Sequence, residues 1–115
     1  MSLLSLLFGS SKSKSGAVEV LGKTSFKNAI ASTNVQLVDV RTAKEYNGGY
    51  INNAINIDFF KSSSFTEKFN ELDKDQPVYI YCRSGHRSAK AAARLEVLGF
   101  NKIYDLQGGY LNWLN

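Results

Sequence analysis

Nucleophilic and basic side chains are gathered in one short run of this chain: its only cysteine, Cys82, the arginines Arg83 and Arg87, and the polar residues Ser84, His86 and Ser88, with Gly85 among them. Cysteine attacks as the thiolate, and neighbouring cations favour that form over the thiol. From Arg83 to Arg94 there are four basic residues, Arg83, Arg87, Lys90 and Arg94, and no acidic one. The run therefore predicts a thiolate nucleophile and a place for a small anion. Taken alone, a cysteine after an apolar strand reads as a small buried hydrophobe. The basic loop argues for reactivity instead.

The flanking residues say how such a loop is held. Val78 to Tyr81, four β-branched and aromatic residues after Pro77, predict a buried strand. Ser88 to Leu98 predicts an alanine-rich helix with Ser88 near its N-cap. The connection must turn sharply, and Gly85 can supply the positive φ. The N–H groups of such a turn, and those of the first helical turn with about half a positive charge, can converge above the cysteine sulfur.

The rest of the chain alternates strand and helix signals. Strands are predicted over Val18 to Leu21, Gln36 to Val40, Ala54 to Ile57 and Lys102 to Leu106. Helices are predicted over Ser25 to Ala31, Ala43 to Tyr46, Ser64 to Leu72 (with Phe65, Phe69 and Leu72 on one stripe) and Gly109 to Leu114. Such alternation implies an α/β fold, a mainly parallel central sheet of about five strands with helices on both faces. Ligands of such sheets bind beyond the carboxyl ends of the strands, where Cys82 falls. Asp39 and Arg41 lie at another such end, near Glu45, and read as a structural ion-pair cluster. His86, in a loop beside arginines, reads as a rim residue rather than a general base. A Ser-His-Asp hydrolase built on Ser84 or Ser88 with His86 fails on geometry, because neighbours in one tight loop do not face each other as nucleophile and base.

The run Cys82-Arg83-Ser84-Gly85-His86-Arg87-Ser88 resembles the active-site loop of the rhodanese family of sulfurtransferases. Upstream, Leu37-Val38-Asp39-Val40-Arg41, Glu45-Tyr46, Gly49-Tyr50-Ile51 and Ala54-Ile55-Asn56-Ile57 are similar to the family's strand-turn-helix-strand signature. Downstream, Leu106-Gln107-Gly108-Gly109-Tyr110-Leu111-Asn112-Trp113 resembles its Gly-Gly and Trp element, so the likeness runs from about Val18 to Asn115. Tyr50 and Asn53 depart from the family's usual histidine and glycine, away from the loop. The resemblance implies a rhodanese-like fold and a sulfurtransferase. Cys82 would take a sulfane sulfur from a donor such as thiosulfate as a persulfide and pass it to cyanide or a thiol. It further implies that Arg83, Ser84, Gly85, His86, Arg87 and Ser88 meet the small anionic donor, that Asp39, Arg41 and Glu45 support the loop, and that no cofactor is needed. A persulfide carrier that works with a sulfur-relay protein and turns over few small molecules needs the same thiolate. A phosphatase or arsenate reductase of the related loop type uses cysteine, five residues, then arginine; here only four residues separate Cys82 from Arg87, a shorter cradle.

Composition sets the remaining bounds. A chain of 115 residues, 43% hydrophobic, makes one small globular domain. One cysteine excludes an internal disulfide, and one cysteine with one histidine does not make a zinc site. The net charge of +4 is spread through the chain without a basic run, so nucleic acid is not an expected partner. Residues 1–16 differ from the rest: Leu3 to Phe8 is a short apolar patch (serine at position 5) followed by a Ser-, Lys- and Gly-rich stretch, predicting a flexible tail before a domain over residues 17–115. The patch lacks a positive n-region and is too short for a secretory or spanning helix, so no stable membrane insertion and a cytoplasmic location are expected.

Overall fold

A computed structural model describes residues 16–32 and 34–115. Apart from Gly16, the tail expected over residues 1–16 lies outside the described residues. The strands are β1 (Val18–Leu21), β2 (Gln36–Asp39), β3 (Ile55–Asn56), β4 (Val78–Tyr81) and β5 (Ile103–Leu106). Between and after them run the helices α1 (Lys23–Ala29), α2 (Ala43–Asn47), α3 (Ser62–Asn70), α4 (His86–Val97) and α5 (Gly109–Trp113). The strands form one sheet in the order β1-β5-β4-β2-β3, and each pairing is parallel. The α/β architecture inferred from alternation is the one observed.

Strand alternation divides the core in two. Val38, Val78, Ile80 and Ile103 face α3 and α4, where they pack with Phe65, Phe69, Ala91, Ala92 and Leu95. Leu37, Tyr81 and Leu106 face the other way, onto Phe26 of α1 and onto Tyr110 and Trp113 of α5. Burying both faces explains why these strands are nearly continuous apolar runs. Ala91 and Ala92 are small, so α4 can lie close over β4, and its first turn comes down beside the strand's carboxyl end.

The boundaries differ from expectation where caps are backbone rather than side chain. Helix α1 starts at Lys23, two residues early, from an extended Gly22. Helix α3 spans Ser62–Asn70 rather than Ser64 to Leu72, so Leu72 packs on the core from just beyond the helix. Helix α4 starts at His86, not Ser88, because Gly85 is its N-cap, in the left-handed region at φ 107°. Strand β3 is two residues long, a short edge pairing with β2 only. Among the described residues no helix is long and apolar enough to cross a membrane.

Candidate active site

Cys82 follows β4 directly and is 1% exposed, at the floor of the loop that leads into α4. Its Sγ accepts a hydrogen bond from the Gly85 N–H at 3.0 Å. A residue with a Cβ would meet strain at that φ, so glycine is what lets the chain fold back onto the sulfur three residues later. The next N–H groups, of His86, Arg87 and Ser88, are the first three of the helix and have no intrahelical acceptor. The thiol therefore sits where backbone N–H groups and the helix dipole favour negative charge.

The loop is fixed from the side by α5. Tyr110 N–H donates to Cys82 O at 2.8 Å and Leu111 N–H to Arg83 O at 3.1 Å, which ties the loop's first two carbonyls to α5. Close approach requires Gly109: at φ 62°, a Cβ there would lie 2.6 Å from Cys82 O and from the carbonyl carbon and oxygen of Arg83. The sequence signal for this clamp was the Gly108-Gly109 pair, but spacing alone did not reveal what it touches.

Arg87 braces the other side. Its Nη1 and Nη2 donate to Glu45 Oε1 and Oε2 at 2.7 and 3.0 Å, a two-pronged pair across 42 residues of sequence. Glu45 is itself fixed by a capping box at the start of α2: Thr42 N–H donates to Glu45 Oε1 at 3.0 Å, and Glu45 N–H donates to Thr42 Oγ1 at 3.3 Å. The Arg87 bonds, with help from Thr42, hold the Glu45 carboxyl down to about 2, and the same contacts raise Arg87. Phe60, 64% exposed, lies with its ring 5.6 Å from the Arg87 guanidinium at the edge of the site.

The three supporting residues expected as one cluster separate into two pairs. Asp39 and Arg41 are both buried; Arg41 Nε donates to Asp39 Oδ1 at 3.0 Å and Nη2 to Oδ2 at 2.6 Å. Arg41 Nη2 also donates to Gly49 O at 2.7 Å, and the guanidinium lies 4.3 Å from the centre of the Tyr110 ring. This pair meets the surroundings of the loop through the rings of Tyr110 and Tyr81, whereas Glu45 touches the loop directly through Arg87. Tyr81 accepts from Ile51 N–H at 3.0 Å, and burial pushes its hydroxyl well up, so it stays neutral.

Of the residues expected to meet a ligand, Arg83, Ser84 and His86 are exposed on the rim, Gly85 meets the sulfur, and Arg87 is turned to Glu45. Ser88 corrects the expectation. It is the third residue of the helix rather than its cap, it is fully buried, and its hydroxyl donates inward to Gly85 O at 3.3 Å. Its side chain packs into the core beneath the loop. Sequence reasoning also missed Asp105, buried beside Ser88. An acid in the middle of an apolar strand was the signal.

A family model described as rhodanese-like domain matches residues 23–115. An uncharacterised protein of Bacillus subtilis is 42% identical over 78 residues, 68% of this chain and 60% of that protein, so this chain spans less than two thirds of that relative's length. A thiosulfate sulfurtransferase of Coxiella burnetii is 32% identical over 84 residues, 73% of this chain and 76% of that protein. Among solved structures, a rhodanese-related protein from Thermoplasma volcanium superposes with a TM-score of 0.70 at 33% identity, covering 83% of this chain and 89% of the other.

Proposed function

The chain belongs to the rhodanese-like domain family, whose model matches residues 23–115, and on that premise we propose that it is a sulfurtransferase working through a persulfide on Cys82. The observation that supports this most directly is the Gly85 N–H on Cys82 Sγ at 3.0 Å, at the start of a helix of 12 residues. In the proposed first half-reaction the Cys82 thiolate attacks the outer sulfur of a donor such as thiosulfate. The new S–S bond forms as the donor's own S–S bond breaks, and its electron pair leaves with sulfite. In the second, cyanide or a thiolate attacks the outer sulfur of the persulfide, and Cys82 leaves as the thiolate. The Gly85 N–H and the helix dipole stabilise the sulfur anion at both ends of the cycle. Arg83, exposed on the rim, attracts the dianionic donor in this reading. Arg87, engaged with Glu45, keeps the loop in shape and adds to the positive potential.

Mass spectrometry of the protein after thiosulfate treatment tests the reading. A reducible one-sulfur adduct on Cys82, discharged by cyanide as thiocyanate and absent from Cys82→Ser, is the expected result. Thiocyanate production by Cys82→Ser would overturn it. A persulfide that forms but is discharged only by a protein thiol would assign carriage rather than turnover.

A further inference from the structure

Beneath the cysteine loop is a polar pair that the proposed chemistry does not use. Asp105 of β5 and Ser88 of α4 are 3% and 0% exposed. Asp105 Oδ1 is a buried oxygen with no hydrogen-bond partner. An orphaned carboxylate oxygen in a core is costly, whereas a protonated carboxyl carries a donor that can be satisfied. Few groups meet it. Strand pairing sets Ile80 of β4 and Val20 of β1 beside it. Cys82, two residues beyond Ile80 and in the same core cluster, is the titratable group on that side of β4. From α4 come Ser88 and the alanines Ala91 and Ala92. Among the described residues, no cation offsets its charge. Burial accordingly pushes the Asp105 carboxyl up to about 7, against the smaller, opposing influence of the neighbouring Ser88 hydroxyl.

The Ser88 hydroxyl has one proton and two lone pairs, so what it donates to depends on its neighbour. Its observed acceptor is Gly85 O at 3.3 Å, the carbonyl of the residue whose N–H meets Cys82 Sγ. We propose that Asp105 is a positioning residue for the cysteine loop: as the neutral acid it donates to Ser88 Oγ, which leaves the Ser88 proton for Gly85 O, and when ionised it draws that proton to itself and releases Gly85. The chain of contacts is thus Asp105, Ser88, Gly85, Cys82. Ionisation loosens the peptide that presents the N–H to sulfur and adds negative charge on the side of the sheet where the thiol lies. Both effects disfavour the thiolate. The inference rests on Cys82 as the reactive group but not on its moving sulfur.

Alkylation of Cys82 by iodoacetamide, followed by mass spectrometry across the pH range, tests the device independently of sulfur transfer. In the wild-type protein the rate profile carries, besides the inflection of the thiol itself, a second inflection near pH 7, the value of Asp105. Its size is about two- to tenfold in rate, the weight of one hydrogen bond. Asp105→Asn, whose amide can donate to Ser88 at every pH, removes that inflection, and Ser88→Ala, which keeps the carboxyl but cuts the chain, reduces it to the part carried through space by the carboxylate charge. Thermal melts establish that each variant is folded; if Asp105→Asn is not, Ser88→Ala decides. A profile of Asp105→Asn that superposes on the wild type, or a full second inflection in Ser88→Ala, overturns the proposal. Absence of sulfur transfer with the second inflection present would count against the proposed function alone.

Discussion

Removing the charge of Glu45 while keeping its shape isolates what the Arg87 brace contributes. In Glu45→Gln the side-chain oxygen can still accept from Thr42 N–H, so the capping box survives and the loss falls on the bond to Arg87. The Glu45 carboxyl is held from an ordinary 4.5 down to about 2, and at ~1.36 kcal/mol per pK unit that corresponds to roughly 3.4 kcal/mol as a ceiling. The Glu45 and Arg87 side chains are 28% and 19% exposed, so solvent screening reduces the figure. A two-pronged, charge-assisted pair in that setting leaves about 2 kcal/mol, some 6–12 °C in melting temperature for a chain of this size. Because the folded value lies below the unfolded one, this stability is fully present above about pH 4.5 and is lost as pH falls through about 2. Thermal melts of wild type, Glu45→Gln, Arg87→Met and the double variant, at neutral pH and down to the acid end, supply a double-mutant cycle. The expected coupling is about 1–2 kcal/mol at neutral pH, shrinking towards zero in acid. Coupling under ~0.5 kcal/mol at neutral pH, or a gap between wild type and Glu45→Gln that persists unchanged in acid, would refute the brace.

Arg83 and Gly109 separate binding from architecture. Arg83→Ala should raise the KM for thiosulfate roughly tenfold or more, as loss of a charge-assisted contact of ~1.5–3 kcal/mol requires, with the melting temperature little changed; an unchanged KM in steady-state kinetics would remove Arg83 from donor binding. Gly109→Ala places a Cβ 2.6 Å from two loop carbonyls at φ 62° and should destabilise by roughly 2 kcal/mol or more while lowering kcat/KM. Wild-type melting and turnover in that variant would mean the clamp is unimportant. Phosphate esters should not be hydrolysed, since the four residues between Cys82 and Arg87 offer too few N–H groups to surround a phosphoryl group, and a phosphatase assay above background would reverse that argument.

The sequence by itself determined the alternating strands and helices of the sheet and the place of Cys82 at a strand end, because each depends on signals within a few residues. The run Val78 to Tyr81 alternates between two buried faces, the alanines at 91 to 93 favour helix, and Gly85 can take a positive φ wherever the chain folds. Even the brace was partly legible, in the two acids Asp39 and Glu45 that the resemblance assigns to support of the loop. Tertiary structure decided which acid it was. Arg87 and Glu45 are 42 residues apart, and only the parallel order of β2 beside β4 brings α2 against the loop; Asp39 is instead taken by Arg41 two residues away. The same holds for Gly109 under the loop carbonyls and for Asp105 beneath Ser88, since β5 lies next to β4 only after the chain has crossed over through α4. Ser88 shows the local limit as well: a hydroxyl near a helix start reads as a cap, but a left-handed glycine three residues earlier can cap by backbone alone and turn the serine into the core. Local patterns fix what a segment becomes, while the contacts that shape this site are made between segments, and their geometry exists only once the sheet has ordered them.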